Sequence, residues 1–216
     1  MGMKRVKEII VYIIGMAILG LGLSLSTKFN LGTSAITSLP FSISEIYKLS
    51  FGDMTLIYYI VFIIAQIIIH IKTKSYKSII GDIIQIVVSI IFTRYLDVMK
   101  NLIPSFASLN LFVRILLYLI PVIFTGVGAA LTVKTSLPLN PPDGFVKLVA
   151  NTSKKEVGLI KNIVDITVVI ITCIFSYIVS KQIIGVGIGT VIAMLGVGRV
   201  IHLFDNTIGK KINLKD

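Results

Sequence analysis

The chain has 216 residues, 55% of them hydrophobic and 14% charged, with a mean hydropathy of +0.95. That is more apolar surface than one water-soluble core can hide, and fewer charges than the roughly 25% of a soluble domain, so lipid is the expected solvent. The net charge of +11 would point to nucleic acid in a soluble protein, but these lysines lie between apolar runs with no aromatic-interleaved basic face. A cytoplasmic excess of Lys and Arg accounts for them, and no nucleic-acid partner is expected.

In chain order, six segments reach the length needed to cross a bilayer: 8–26, 54–71, 78–97, 112–133, 157–179 and 183–204. The first follows a basic start, as a signal peptide would. It is as long as a full span and lacks a small-residue cleavage site, so a retained helix is expected. With the N-terminus inside, Lys4, Arg5, Lys7, Lys72, Lys74, Lys77, Lys134, Lys147, Lys154, Lys155, Lys210, Lys211 and Lys215 face the cytoplasm. Only Lys28, Lys48, Lys100 and Lys181 fall in outer loops. Both termini are therefore expected on the cytoplasmic side.

The chain repeats itself. A shift of 106 residues carries Gly20, Gly22, Leu25, Lys28 and Leu31 onto Gly126, Gly128, Leu131, Lys134 and Leu137, and Ser26 onto Thr132. A shift of 108 carries Gly81, Ile84, Arg94 and Asp97 onto Gly189, Ile192, His202 and Asp205. Three crossings per copy make the second copy enter from the opposite face. The expected fold is a single all-α membrane domain, 1–216, of six transmembrane helices. It forms two inverted three-helix repeats, 8–98 and 112–206, with broken or re-entrant segments. The long connections 27–53 and 134–156 are apolar yet broken by Pro40 or by Pro141 and Pro142. They either re-enter the membrane, where they would line a solute site, or lie on its surface.

Charges and polar groups inside or beside apolar runs are the candidate site residues. Asp165 lies deep in the fifth span with Lys161 one turn before it and Asn162 alongside, and such a pair can neutralise itself at depth. Arg199 sits inside the last span, where a guanidinium can bind an anionic group or pair with Asp165. Lys28 and Lys134 end the first helix of each copy and either cap carbonyls or face a cavity from opposite sides. Asn30, Ser34, Ser136, Asn140 and Asp143 place hydrogen-bonding groups at the two breaks. Asp82 reads as a helix N-terminal charge. Arg94 with Asp97, and His202 with Asp205, read as same-face pairs at span ends. Gly185 and Gly189 read as a small-residue packing face in the last span. No HExxH, cysteine cluster or P-loop is present, so no enzyme, metal or cofactor is expected.

The Pro138–Gly144 turn after a glycine-bearing helix, together with Gly185–Asp205, resembles the YitT/YczE group of bacterial integral membrane proteins. Gly187 to Thr190 and Asp143 stand on that group's motif positions, with Pro142 where it carries an aromatic. The resemblance implies a multi-pass protein of the bacterial cell membrane. The functional expectation is a small-solute secondary transporter, anion or proton coupled, with its site where the repeats meet. The expected partners are the lipid bilayer and a small-molecule or ion solute, with a homodimer also open. Two other classes are a substrate-binding membrane subunit of an energy-coupling-factor-type transporter and a non-transporting membrane organiser of a partner process.

Overall fold

The computed structural model describes residues 2–209, so Lys210, Lys211 and Lys215 lie outside the described residues. Every element in it is helical: α1 (Met3–Ser26), α2 (Ala35–Tyr47), α3 (Phe51–Lys72), α4 (Tyr76–Leu102), α5 (Leu111–Leu117), α6 (Leu119–Val133), α7 (Pro141–Ser153), α8 (Val157–Ser180) and α9 (Ile188–Asn206). Six helices, counting α5 and α6 as one, are long and apolar enough to cross a membrane. Isoleucines such as Ile57, Ile64, Ile83, Ile91, Ile170 and Ile178 are exposed along α3, α4 and α8. Water does not tolerate that much apolar surface and lipid does.

Local chemistry sets the ends of the elements. At Pro121 the ring and the missing N–H cannot continue the helical ladder to Leu117, which explains the interruption between α5 and α6 at Tyr118. Asp97 on α4 holds the start of α3, accepting from Ser50 Oγ at 2.5 Å and from Gly52 N–H at 2.7 Å. Ser50 Oγ in turn accepts from Asp53 N–H at 3.0 Å, a side-chain cap on a helix N-terminus. The short helices α2 and α7 each end at a lysine in the left-handed region, Lys48 and Lys154, which turns the chain sharply into the next span.

Glycine permits the closest packing. A Cβ at Gly22 would lie 2.6 Å from Thr125 N, and one at Gly128 would run into the backbone of Leu19. Alpha-1 and α6 therefore cross backbone to backbone, as small residues allow in lipid. Tyr12, Met16, Leu19 and Leu23 of α1 carry the core to Tyr59 of α3 and Phe92 of α4.

The last span begins later than the expected residue 183. After α8 the chain turns back inward: Ile184 N–H donates to Ser176 Oγ at 2.8 Å, and Thr33 N–H donates to Gly185 O at 3.0 Å. Gly185 has φ +89 and lies against Ser38 O. It is a turn residue outside the helix, so the expected Gly185/Gly189 packing face does not form.

Candidate functional site

Each short helix starts inside the bundle and ends near its surface. The chain leaves α1, turns at Asn30 (φ 50) and Gly32 (φ 87), and begins α2 at Ser34. Asn and Gly are the residues that accept this backbone readily. Along α2, Ser38 Oγ lies 2.9 Å from Thr172 Oγ1 in the middle of α8, and Glu45 reaches Lys100 at the end of α4. The other break mirrors this path. Tyr12 OH donates to Pro138 O at 2.7 Å, so the chain after α6 climbs back beside α1. Asn140 Nδ2 then donates to Tyr59 OH at 2.9 Å, and α7 descends past Gln66 to Lys154. Residues 35–47 and 141–153 thus pack against the long helices, α2 on α3 and α8 and α7 on α3 and α8.

The starts of α2 and α7 open on one enclosed cavity of about 40 Å³, lined by Ser34, Ile36, Asn140, Asp143, Lys161 and Asp165 among others. No side chain caps either helix start. Both therefore present the positive end of a helix to the cavity. The ends differ in kind, because Pro141 and Pro142 remove two N–H donors from α7 whereas α2 retains those of Ala35 and Ile36.

Opposite them, Lys161 Nζ stands between two carboxylates, 3.5 Å from Asp165 Oδ2 and 3.9 Å from Asp143 Oδ1. Asp165 is 6% exposed and lies eight residues into α8, about 12 Å along the helix. A charge that deep needs its partner. Asn140, 5% exposed, spends one end of its amide on Tyr59, and its Oδ1 is buried without a partner. A tyrosine hydroxyl both donates and accepts, so whichever end of the amide engages it, the other faces the cavity.

Asn140, Asp143, Asp165 and Ser34 are therefore brought together, with Lys161 as their cation. The other expected site residues lie elsewhere. Asn162 and Arg199 are exposed on the outer faces of α8 and α9, and the partner of Asp165 is Lys161, not Arg199. Lys134 pairs with Asp205 at 3.0 Å at the end of the bundle where α1 begins. Lys28 and Asn30 line a separate vestibule of about 720 Å³ at the opposite end. Ser136 is tied by its N–H and hydroxyl to Glu8.

Two helix-end readings change and a third gains a partner. Asp82 is buried, 2.7 Å from His70 Nδ1, where a helix N-terminal charge favoured by the macrodipole was expected. His202 meets Asn206 while Asp205 takes Lys134. Arg94 does approach Asp97 at 3.9 Å, but its closer partner is Asp53 at 2.5 Å. Sequence spacing finds neighbours on one helix, and Tyr59 and His70 gain their roles across helices. The one available signal was that each is a polar group in or beside an apolar run. Among the described residues, no group of three or more His, Cys, Asp and Glu is placed to hold a metal.

Six apolar spans, with a charged cluster at a largely apolar internal cavity, define a multi-pass α-helical membrane protein. Residues 6–206 match the profile of the family of unknown function DUF6198, and the chain belongs to that family. It is 26% identical over 193 residues to "Uncharacterized protein YyaS" of Bacillus subtilis (strain 168), covering 89% of this chain and 90% of that protein. No solved structure matches the chain.

Proposed function

We propose that this protein is a secondary transporter of small solutes, without enzymatic activity, whose two repeats rock about the central cavity. The observation that carries this reading is the convergence of two uncapped half-helix starts on one buried cavity that also holds Lys161, Asp143 and Asp165. Broken helices whose ends point at a midplane site are how inverted-repeat transporters bind ions and polar solutes.

The repeat reading gains support from element boundaries. Adding 106 carries Ala35–Tyr47 onto Pro141–Ser153 and Phe51 onto Val157. The same shift takes the vestibule residues Asn30, Gly32, Thr33, Phe41 and Glu45 onto Ser136, Pro138, Leu139, Lys147 and Asn151, which line a second opening of about 290 Å³ at the other end. Two wide openings flanking a small, narrower cavity fit alternating access. Kinship with the YitT/YczE group rests on Pro138–Gly144 and Gly185–Asp205. A bacterial cell membrane with cytoplasmic termini rests on that kinship and on the lysine distribution.

Lys161 supplies the working part. It bridges α8 to the half-helix α7 through Asp165 and Asp143, so a proton that takes over one carboxylate, or a solute anion that takes over the ammonium, loosens that bridge. Breaking it frees α7 to move against α8, which couples occupancy to opening. The test is flux into proteoliposomes, reading proton movement with a trapped pH dye and uptake of radiolabelled phosphate and citrate. Wild-type protein is expected to give saturable flux, and Asp165→Asn to fall to the level of protein-free liposomes. Wild-type flux no greater than that of protein-free liposomes, or full flux in Asp165→Asn, contradicts the reading.

A further inference from the structure

The 720 Å³ vestibule carries more positive charge than it neutralises. Its lining includes Lys28, Lys100, Arg114 and Glu45. The Lys100 ammonium is 2.7 Å from Glu45 and sits over the rings of Phe41 and Phe51, so those two charges cancel. Lys28 and Arg114 remain, and among the described residues no carboxylate lies within ion-pair distance of either.

Residues 106 and 107 hold the two cations in one place. Phe106 N–H donates to Lys28 O at 2.8 Å, Arg114 Nη1 donates to Ala107 O at 3.1 Å, and Phe106 stacks on Phe29. Arg114 Nε is buried with no acceptor. A charged donor stripped of water and left unpaired is costly, and an incoming acceptor removes that cost. Leu31, Gly32 and Thr33 line the vestibule and Ser34, Ala35 and Ile36 the central cavity. A single stretch of backbone, pinned by Thr33 N–H to Gly185 O, separates the two.

We propose that the vestibule is the capture site for a small soluble anion bearing a carboxylate or phosphate group, held by Lys28 and Arg114. Its onward path is the positive start of α2, one residue beyond Thr33. This step rests on the transport reading, whereas capture itself does not. Arg114 supplies the directional donors and Lys28 a mobile point charge, the usual division of labour between these residues.

The experiment is calorimetric titration of sodium phosphate and of citrate into the full chain held in nanodiscs of phosphatidylcholine alone. Saturable binding of at least one anion is expected, weakened about tenfold or more by Lys28→Gln and by Arg114→Gln. Lys28→Arg retains it. So does Lys181→Gln, which removes an exposed lysine at the same end but outside the vestibule. Capture and transport fail separately: binding without flux leaves the vestibule standing, and flux without binding overturns the vestibule alone. The proposal fails if neither anion binds, or if Lys181→Gln weakens binding as much as Lys28→Gln. It also fails if phosphatidylglycerol in the discs displaces the anion from wild type, since a lipid headgroup then fills the site.

Discussion

Lys161 and Lys28 show how the same residue type is handled in two settings. Lys161 has two carboxylates and keeps 29% of its side chain exposed. Lys161→Met strands Asp165 at depth and is expected to lower stability by up to about 3 kcal/mol, the lower end for a broken buried pair. Adding Asp165→Asn removes the stranded charge and should recover most of the loss, measured by thermal unfolding of the single and double variants.

Lys28 is pushed below the usual lysine range by partial burial and then by Lys100, with Glu45 on α2 opposing them, and Arg114 is the other cation of its vestibule without a carboxylate in ion-pair range among the described residues. Because the folded chain gives up this proton before the unfolded chain does, raising pH through the depressed value relieves a charge penalty and raises stability. Anion capture runs the other way, since it needs the charged form. Affinity is expected to fall as pH climbs toward the usual lysine range, and Lys28→Arg to flatten that fall, because a guanidinium keeps its proton throughout. Unchanged affinity over that climb would remove Lys28 from the site.

Among the elements, the half-helices and the glycine crossing divide what sequence could and could not foretell. Pro40, Pro141 and Pro142 marked both breaks, and the composition of 27–53 and 134–156 allowed either re-entry or a surface position. What packs each against the long helices is a set of long-range contacts, Ser38 to Thr172 for the first and Asn140 to Tyr59 for the second, and neither is encoded in local spacing. Glycines at matched places in α1 and α6 were legible as a duplicated pattern, but that these two helices cross on them is a long-range fact. Gly128→Ala is expected to cost about 1–3 kcal/mol by forcing the helices apart. Gly198→Ala, with open space around its Cβ, should be neutral or stabilise by up to about 1 kcal/mol, since alanine is the better helix former. Thermal unfolding of the two variants side by side checks the contrast. The late start of α9 was not legible: Ile183, Ile184 and Val186 are as apolar as any span, and what stops the helix is the bond from Thr33 to Gly185, more than 150 residues apart in sequence.

For the molecule as a whole, hydropathy alone identified six spans, since nothing else in the chain is apolar over that length. The cavity was half legible. Asp165 and Asp143 drew notice as charges and Asn140 as a polar group at a break, whereas Tyr59 reads as one aromatic among many until Asn140 meets it. Arg199 drew notice for the same reason as Asp165 and lies on the exposed face of α9, because depth along a span says nothing about direction around it. The central claim is that the cavity between α2 and α7 opens to each side in turn. It is tested by Ser34→Cys in a Cys173→Ala background, labelled with a membrane-impermeant thiol reagent in right-side-out and in inverted vesicles. The account predicts labelling from both faces; labelling from one face only, or from neither, would contradict it.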